Sequence, residues 1–147
     1  MTGTIADPPD WPHERILSVL ARADTTRLKA CAEPLIAEMG EIEVRDNRTG
    51  LVMLPMRDTA QGTHFHLGEV LVSEARIAAR DTEGYGMRRG RDLEAAMAMA
   101  LVDLALALGC RVDACLCFLD AEAARQAAED HEILCRVEAT RVDMETF

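Results

Sequence analysis

Aromatic residues are scarce in this chain: one Trp, one Tyr and three Phe among 147 residues, or 3%. A core must therefore come from Ala, Leu, Val, Ile and Met, and the eight methionines supply adaptable packing suited to a core or to a partner surface. A basic excess is missing as well. The net charge is -10 and the sequence pI is near 4.8, which argues against non-specific nucleic-acid binding, because that needs Lys and Arg to displace phosphate counterions. The longest apolar run, Ala95 to Leu108, is broken by Asp103 and is too short to span a bilayer. The opening MTGTIADPPDWP has neither the basic nor the apolar region of a secretory signal. These absences predict a cytoplasmic protein. There is no GxxxxGK phosphate loop followed by Ser or Thr, no trio of clustered cysteines for an iron–sulfur site, and no evident Ser-His-Asp or Cys-His arrangement. Five cysteines are an odd number for a disulfide framework. Cys115 and Cys117, on one face of a predicted strand, read as a metal or redox pair or as small core residues. Without a second Cys/His pair at zinc-site spacing, the core reading is preferred.

What is present describes a folded chain. A hydrophobic fraction of 49% and a mean hydropathy of -0.03 suit one globular domain over residues 11–147, with Met1 to Asp10 as a flexible N-terminal arm. Pro12 suits the first position of a helix whose stripe is Ile16, Leu17 and Leu20. A second helix covers Thr25 to Met39, kinked or divided by Pro34 and ended by Gly40. Ile42 and Val44 then alternate with charged residues, Asn47 to Gly50 reads as a turn, and Leu51 to Met56 as the returning strand, with Pro55 at an edge or bulge. A long extended stretch runs from Thr63 to Arg80, with Gly68 marking a bulge. Asp81 to Gly84 reads as a turn and Tyr85 to Arg88 as a short strand, which makes an antiparallel meander of about four strands. A helix from Asp92 to Leu108 ends at Gly109. Val112, Ala114, Leu116 and Phe118 alternate as a further strand, and Asp120 caps a last helix. The fold class is α+β: N-terminal helices, an antiparallel β-meander, a central apolar helix, then strand–helix–C-terminal tail.

The segment from Gly84 to Leu108 is the most informative. Gly84, Gly86 and Gly90 around Tyr85 form a glycine-punctuated turn that permits backbone conformations closed to other residues. Arg88, Arg89 and Arg91 gather charge there, and Asp92 is placed to cap the helix that follows. Arginine matches phosphate geometry and a helix start adds amide donors, so the turn is a candidate anion site. Pairing with acidic groups, in this chain or on a partner, is the alternative. The helix itself has no broad polar face and must be buried on several sides. Its Met97, Leu101, Leu104 and Leu108 are candidate interface residues, joined by Arg141 and Val142 of the tail. Glu69 and Asp103 stand among apolar neighbours as candidate buried acids. Such acids need a partner or a raised pKa, and a salt bridge to a turn arginine is the preferred account. His64 and His66 share a strand face, a weak metal-site signal that needs a third ligand such as His131 or Glu69; no metal is expected.

Taken in order, Arg15-Ile16-Leu17-Ser18-Val19-Leu20-Ala21, Thr49-Gly50-Leu51-Val52, Leu67-Gly68-Glu69-Val70-Leu71-Val72, Gly84-Tyr85-Gly86, Gly90-Arg91-Asp92, the Ala-rich helix with Asp103, and Thr140-Arg141-Val142-Asp143 resemble the PhnG family over nearly the whole chain. The resemblance implies a small subunit of the bacterial carbon–phosphorus lyase core complex, packed with PhnI most directly and with PhnH and PhnJ. In that complex a phosphonate is attached to C1 of the ATP ribose with release of adenine. ATP and phosphonate are then substrates of the complex, and this chain holds neither a cofactor nor the reaction centre. Alone it would self-associate or be poorly soluble. The competing expectation is a self-contained homo-oligomeric domain that binds a small anion at the arginine turn.

Overall fold

The computed structural model describes residues 11–143; the predicted N-terminal arm and the tail residues Met144 to Phe147 lie outside the described residues. Described are α1 (His13–Arg22), α2 (Thr25–Met39), β1 (Glu43–Arg57), β2 (His64–Ala79), β3 (Thr82–Arg89), α3 (Leu93–Leu108) and α4 (Val112–Ala139). The strands form one antiparallel sheet in the order β1-β2-β3. The architecture is α+β in the expected order. No helix among the described residues is long and apolar enough to cross a membrane.

Local chemistry explains most boundaries. The first free amides of α1 turn to the carbonyl of Pro12, which accepts from Arg15 and Ile16. Asp24 caps α2 by accepting from the Arg27 amide at 2.9 Å. The buried residues of α2, Leu28, Ala32, Leu35 and Met39, lie on one stripe. Pro34 does not divide this helix. It faces solvent, and so does Ala30, whose carbonyl would have taken the missing amide and is open to water instead. Gly40, at φ 78°, ends the helix.

The meander differs from expectation in its turns. Residues Asn47 to Gly50 are not a turn; β1 runs straight through them, paired with β2 from Asn47↔Ala75 to Gly50↔Val72. Ladder bonds to a strand 16 residues long outweigh the local preference for a turn, and Arg48 Nε bonds Glu74 Oε2 across the pair at 3.1 Å. The sheet therefore has three strands rather than four. The β2–β3 turn sits at Arg80 and Asp81, both with positive φ (49° and 62°), as a two-residue hairpin matching the strand twist requires. The segment expected as turn, Asp81 to Gly84, mostly belongs to β3. Near Pro55 the register slips: Leu54 faces Gly68 but Pro55 faces His66, so Leu67 is the extra residue of a bulge beside Gly68.

α3 is the centre of the molecule. Ten of its 16 residues are buried, on every side of the helix, between the sheet and the helices α1, α2 and α4. Asp92 caps it through the Ala95 amide at 3.0 Å, and Gly109, at φ 75°, closes it in the left-handed region. Gly84 and Gly86 serve this packing rather than a turn. A Cβ on Gly84 would come within 2.5 Å of the Ala100 carbonyl oxygen, and one on Gly86 within 2.2 Å of that of Ala96. Only Gly90, at φ 100°, uses the conformational freedom of glycine in this segment.

The strand expected from Val112 to Phe118 is helical; it forms the first turns of α4. Val112, Ala114, Leu116 and Phe118 alternate in hydrophobicity, but burial follows the helical spacing Cys115, Leu119, Glu122, Gln126. Asp120 is consequently not a cap. It lies inside the helix and accepts from the indole Nε1–H of buried Trp11 at 3.1 Å.

Replacing Gly86 by Ala should destabilise the chain by about 3 kcal/mol, the upper range for overpacking against a backbone that cannot yield. Gly50→Ala, with nothing within 4 Å of its would-be Cβ, should change stability by no more than about 0.5 kcal/mol. Urea midpoints of the two variants measure the difference.

Candidate functional site

The three arginines of the turn fall into two environments. Arg88 points inward. Its Nη1 donates to the Leu20 carbonyl, and its Nη2 to the Ala23 carbonyl at 2.7 Å and to Thr25 Oγ1 at 3.5 Å. These carbonyls lie at the end of α1, where helix carbonyls run out of intrahelical donors; that of Leu20 also accepts from the Ala23 amide at 3.3 Å. Burial pushes the Arg88 guanidinium below the usual arginine range, partly offset by Asp92, Asp24 and Glu122. Arg89 and Arg91 are exposed and have no hydrogen bond or ion pair among the described residues. Between them, Gly90 is fixed by its amide, which donates to the Leu71 carbonyl at 2.9 Å, and by its carbonyl, which accepts from Ser73 Oγ at 2.7 Å. Asp92 pairs with Lys29 at 3.0 Å besides capping α3. The Ala95 amide and then Lys29 hold its carboxyl below the ordinary carboxylate range.

The same corner collects further donors. Gln126 Nε2 donates to the Val19 carbonyl at 2.9 Å, and Arg125 Nη2 to that of Arg22 at 3.2 Å. Buried Glu122 accepts from the Asp24 amide at 3.2 Å and pairs with Arg125 at 2.9 Å and with Arg27 at 3.7 Å. Side chains from β3 and α4 thus supply the acceptors at the end of α1 with donors. Sequence reading missed this cluster, since Glu122, Arg125 and Gln126 look like ordinary polar residues of a surface helix.

The two candidate buried acids part company. Asp103 is buried, at 4% exposure. Its Oδ2 accepts from the Tyr85 backbone amide at 2.9 Å, and its Oδ1 lies 2.7 Å from His13 Nε2. No turn arginine takes part. Glu69 is not buried: it is exposed on the outer part of β2, opposite Met53, because the sheet there is only two strands deep and no helix covers it. Tyr85 binds Glu74 Oε1 through its hydroxyl at 3.2 Å. Burial, and then the Glu74 charge, push its phenol above the ordinary tyrosine range.

His64 and His66 are exposed at the far end of β2, while His131 sits on α4 against Cys135 of its own helix at 3.6 Å; the fold does not bring them together. No group of three His, Cys, Asp or Glu side chains among the described residues is placed to hold a metal. Cys115 and Cys117 do not share a face, since two helical residues on they point apart: Cys115 is buried and Cys117 exposed. Cys115 meets Cys31 of α2 instead. The hydrogen bond between them and the nearby Arg111 draw the Cys31 thiol down, while the same contact and burial push Cys115 up.

Of the candidate interface residues, Leu101 and Leu104 are buried inside the chain itself and Met97 and Leu108 are half-buried. The chain's own sheet and helices cover most of α3. Arg141 and Val142 are exposed beyond the end of α4. The exposed apolar side chains lie elsewhere. Leu51, Val52, Met53, Leu54, Met56, Phe65 and Leu67 crowd the outer β1–β2 ribbon, and Ile133, Leu134 and Val137 lie on the last turns of α4. A cleft of about 620 Å³ opens between the end of α2, the start of β1 and the β2–β3 turn, where Glu41, Glu43, Arg45, Arg80 and Asp81 mix both signs of charge. It does not include the arginine turn.

Arg88→Ala should cost about 2–3 kcal/mol, since it strips charge-assisted donors from buried carbonyls. Arg89→Ala and Arg91→Ala should each stay within about 0.5 kcal/mol. Thermal and urea unfolding of the three variants checks this division.

The family model described as phosphonate metabolism protein PhnG matches residues 12–147 of the chain. No curated protein matches it.

Proposed function

The chain belongs to the PhnG family of phosphonate metabolism proteins, and from that premise we propose that it is an accessory, non-catalytic subunit of the carbon–phosphorus lyase core complex. In this reading it works in the cytoplasm beside PhnI, PhnH and PhnJ, with PhnI its most direct neighbour. It supports transfer of a phosphonate such as methylphosphonate to C1 of the ATP ribose, with adenine leaving and a ribose 1-phosphonate 5-triphosphate formed. ATP and phosphonate are substrates of the assembly, and this chain's contribution is to hold the assembly together.

The observation that carries the proposal is the exposed apolar surface of the outer β1–β2 ribbon, with Leu51 at 63% and Leu67 at 61% exposure, and of the end of α4, with Leu134 at 66%. Exposed apolar surfaces of that kind are unusual on a monomer and ordinary on a subunit separated from its partners. The polar side chains the fold buries, Ser73, Asp103, Glu122 and Gln126, are engaged with backbone groups of neighbouring segments, with His13 or with Arg125. The rival reading, a free-standing anion-binding domain, retains only Arg89 and Arg91, because Arg88 is committed to α1.

Adenine release from ATP plus methylphosphonate tests the proposal. The three sister subunits should release adenine in a phosphonate-dependent way only when this chain is added, and this chain alone should release none. Release unaffected by the chain, with no stable complex on gel filtration, would refute the subunit reading.

A further inference from the structure

β3 pairs with β2 only from Val72 to Ala79. Beyond Leu71, whose carbonyl still takes the Gly90 amide, β1 is the only strand paired with β2 among the described residues, and the two run on as a ribbon to Arg57↔His64. A ribbon of two strands is at best marginally stable in water, and three strands or a packed face are normally required. The seven residues from Leu51 to Arg57 nonetheless reach about 23 Å at ~3.3 Å per residue. The side chains match core strands rather than surface strands. Register places Leu51, Met53 and Glu69 on one face, with Leu67 at its bulge. Leu54, Met56 and Phe65 are on the other, together with Val52. All of these apolar side chains are at least 40% exposed. A ribbon meant to lie flat on a surface would keep one face free of large apolar side chains; this one exposes them on both.

Arg57, His64 and His66 make the tip of the ribbon polar, and Glu69 is the charged residue within its apolar stem. Glu69 sits opposite Met53, between Leu67 and Leu71, and has no hydrogen bond or ion pair among the described residues. A carboxylate taken out of water among apolar side chains needs a cation. A second copy of this chain is a poor source of the surrounding field, since each copy carries a net charge of -10, and like charge of that size opposes self-association. A different protein with a basic cleft rim is favoured on the same ground.

We propose that the outer β1–β2 ribbon is an insertion element: it enters an apolar cleft of a different polypeptide, which covers both faces of the ribbon and presents a Lys or Arg to Glu69. The inference rests on the subunit reading above and says which part of the chain is grasped, and how. The α4 turns carrying Ile133, Leu134 and Val137 are a separate surface and take no part in it.

The experiment uses the full chain with the three sister subunits. Gel filtration of the unaltered chain comes first; no complex there overturns the subunit reading and this inference with it. Given a complex, Leu51→Asp and Leu54→Asp load opposite faces of the ribbon with charge. Both residues are exposed in the free chain, so circular dichroism and the melting temperature should be unchanged. Each substitution should weaken the complex at least tenfold. Glu69→Lys should weaken it at least tenfold as well, and Glu69→Gln less. Amide hydrogen exchange over residues 50–57 and 64–71 should slow at least tenfold on assembly. If only one face responds, the ribbon lies flat and the cleft is refuted. If neither responds and exchange is unchanged while the complex persists, the ribbon is not the docking element, though the subunit reading survives. If the isolated chain is a dimer that both Asp variants dissociate, the occupant is a second copy and the proposal fails. Tolerance of Glu69→Lys would refute the basic contact.

Discussion

The contact between the α3 backbone and the glycines of β3 is the constraint on which the rest of the structure depends. With no side chain at Gly84 or Gly86, the carbonyls of Ala96 and Ala100 come closer to the strand than any Cβ would allow. That approach sets the depth at which α3 sits in the molecule. Alanine on the helix, at Ala96 and Ala100, and on β2 beside Gly86, at Ala75, keeps the layer thin. A core poor in aromatic residues is thereby packed by bringing backbones together rather than by filling space with rings. With α3 this close to the sheet, α1, α2 and α4 can cover its remaining sides.

Burying a helix on every side leaves its polar groups and its neighbours' ends to be satisfied from within. Asp103 meets the Tyr85 amide and His13, tying α3 to β3 and to the start of α1. The end of α1, which meets α2 at a tight corner, draws donors from Arg88, Arg125 and Gln126. Each bond joins segments far apart in the chain, so the corner acts as a cross-brace between the strand layer and the last helix. An arginine that looks like a phosphate ligand in sequence is committed to this joint, because α1 ends close to β3 with carbonyls able to accept further donors.

Two extensions leave this braced body without cover of their own: the outer β1–β2 ribbon and the end of α4. Their apolar residues are at odds with the water around them in the isolated chain, whereas every side of α3 is at peace with its surroundings. The apolar surplus noted in the sequence is therefore real, but it divides differently. The most hydrophobic helix is the private core, and the less conspicuous strands carry the surface that faces outward.

The helix ends at Asp92, Gly40 and Gly109, the α+β order and the family were legible in the chain itself, because they depend on short-range chemistry and on ordered residue sets; the cap expected at Asp120 was not, since that residue lies inside α4. Asp92 before an apolar run caps a helix whatever surrounds it, and Gly40 and Gly109 end helices through φ alone. Alternation misled at Val112 to Phe118, where small and apolar residues fit either period and packing against α1 and α3 selected the helix. Asn47 to Gly50 reads as a turn until a long partner strand pairs with it. Periodicity could not say that Glu69 is exposed while Asp103 is buried, since both stand among apolar neighbours. The first lies where the sheet has lost its third strand, the second where α3 faces Tyr85 and His13. The sequence by itself determined the α+β order and the ends of helices at Gly40, Asp92 and Gly109, where the local chemistry suffices. The tertiary structure alone decided which apolar face is covered, which arginine is spent and which acid meets water, because those depend on contacts between segments dozens of residues apart.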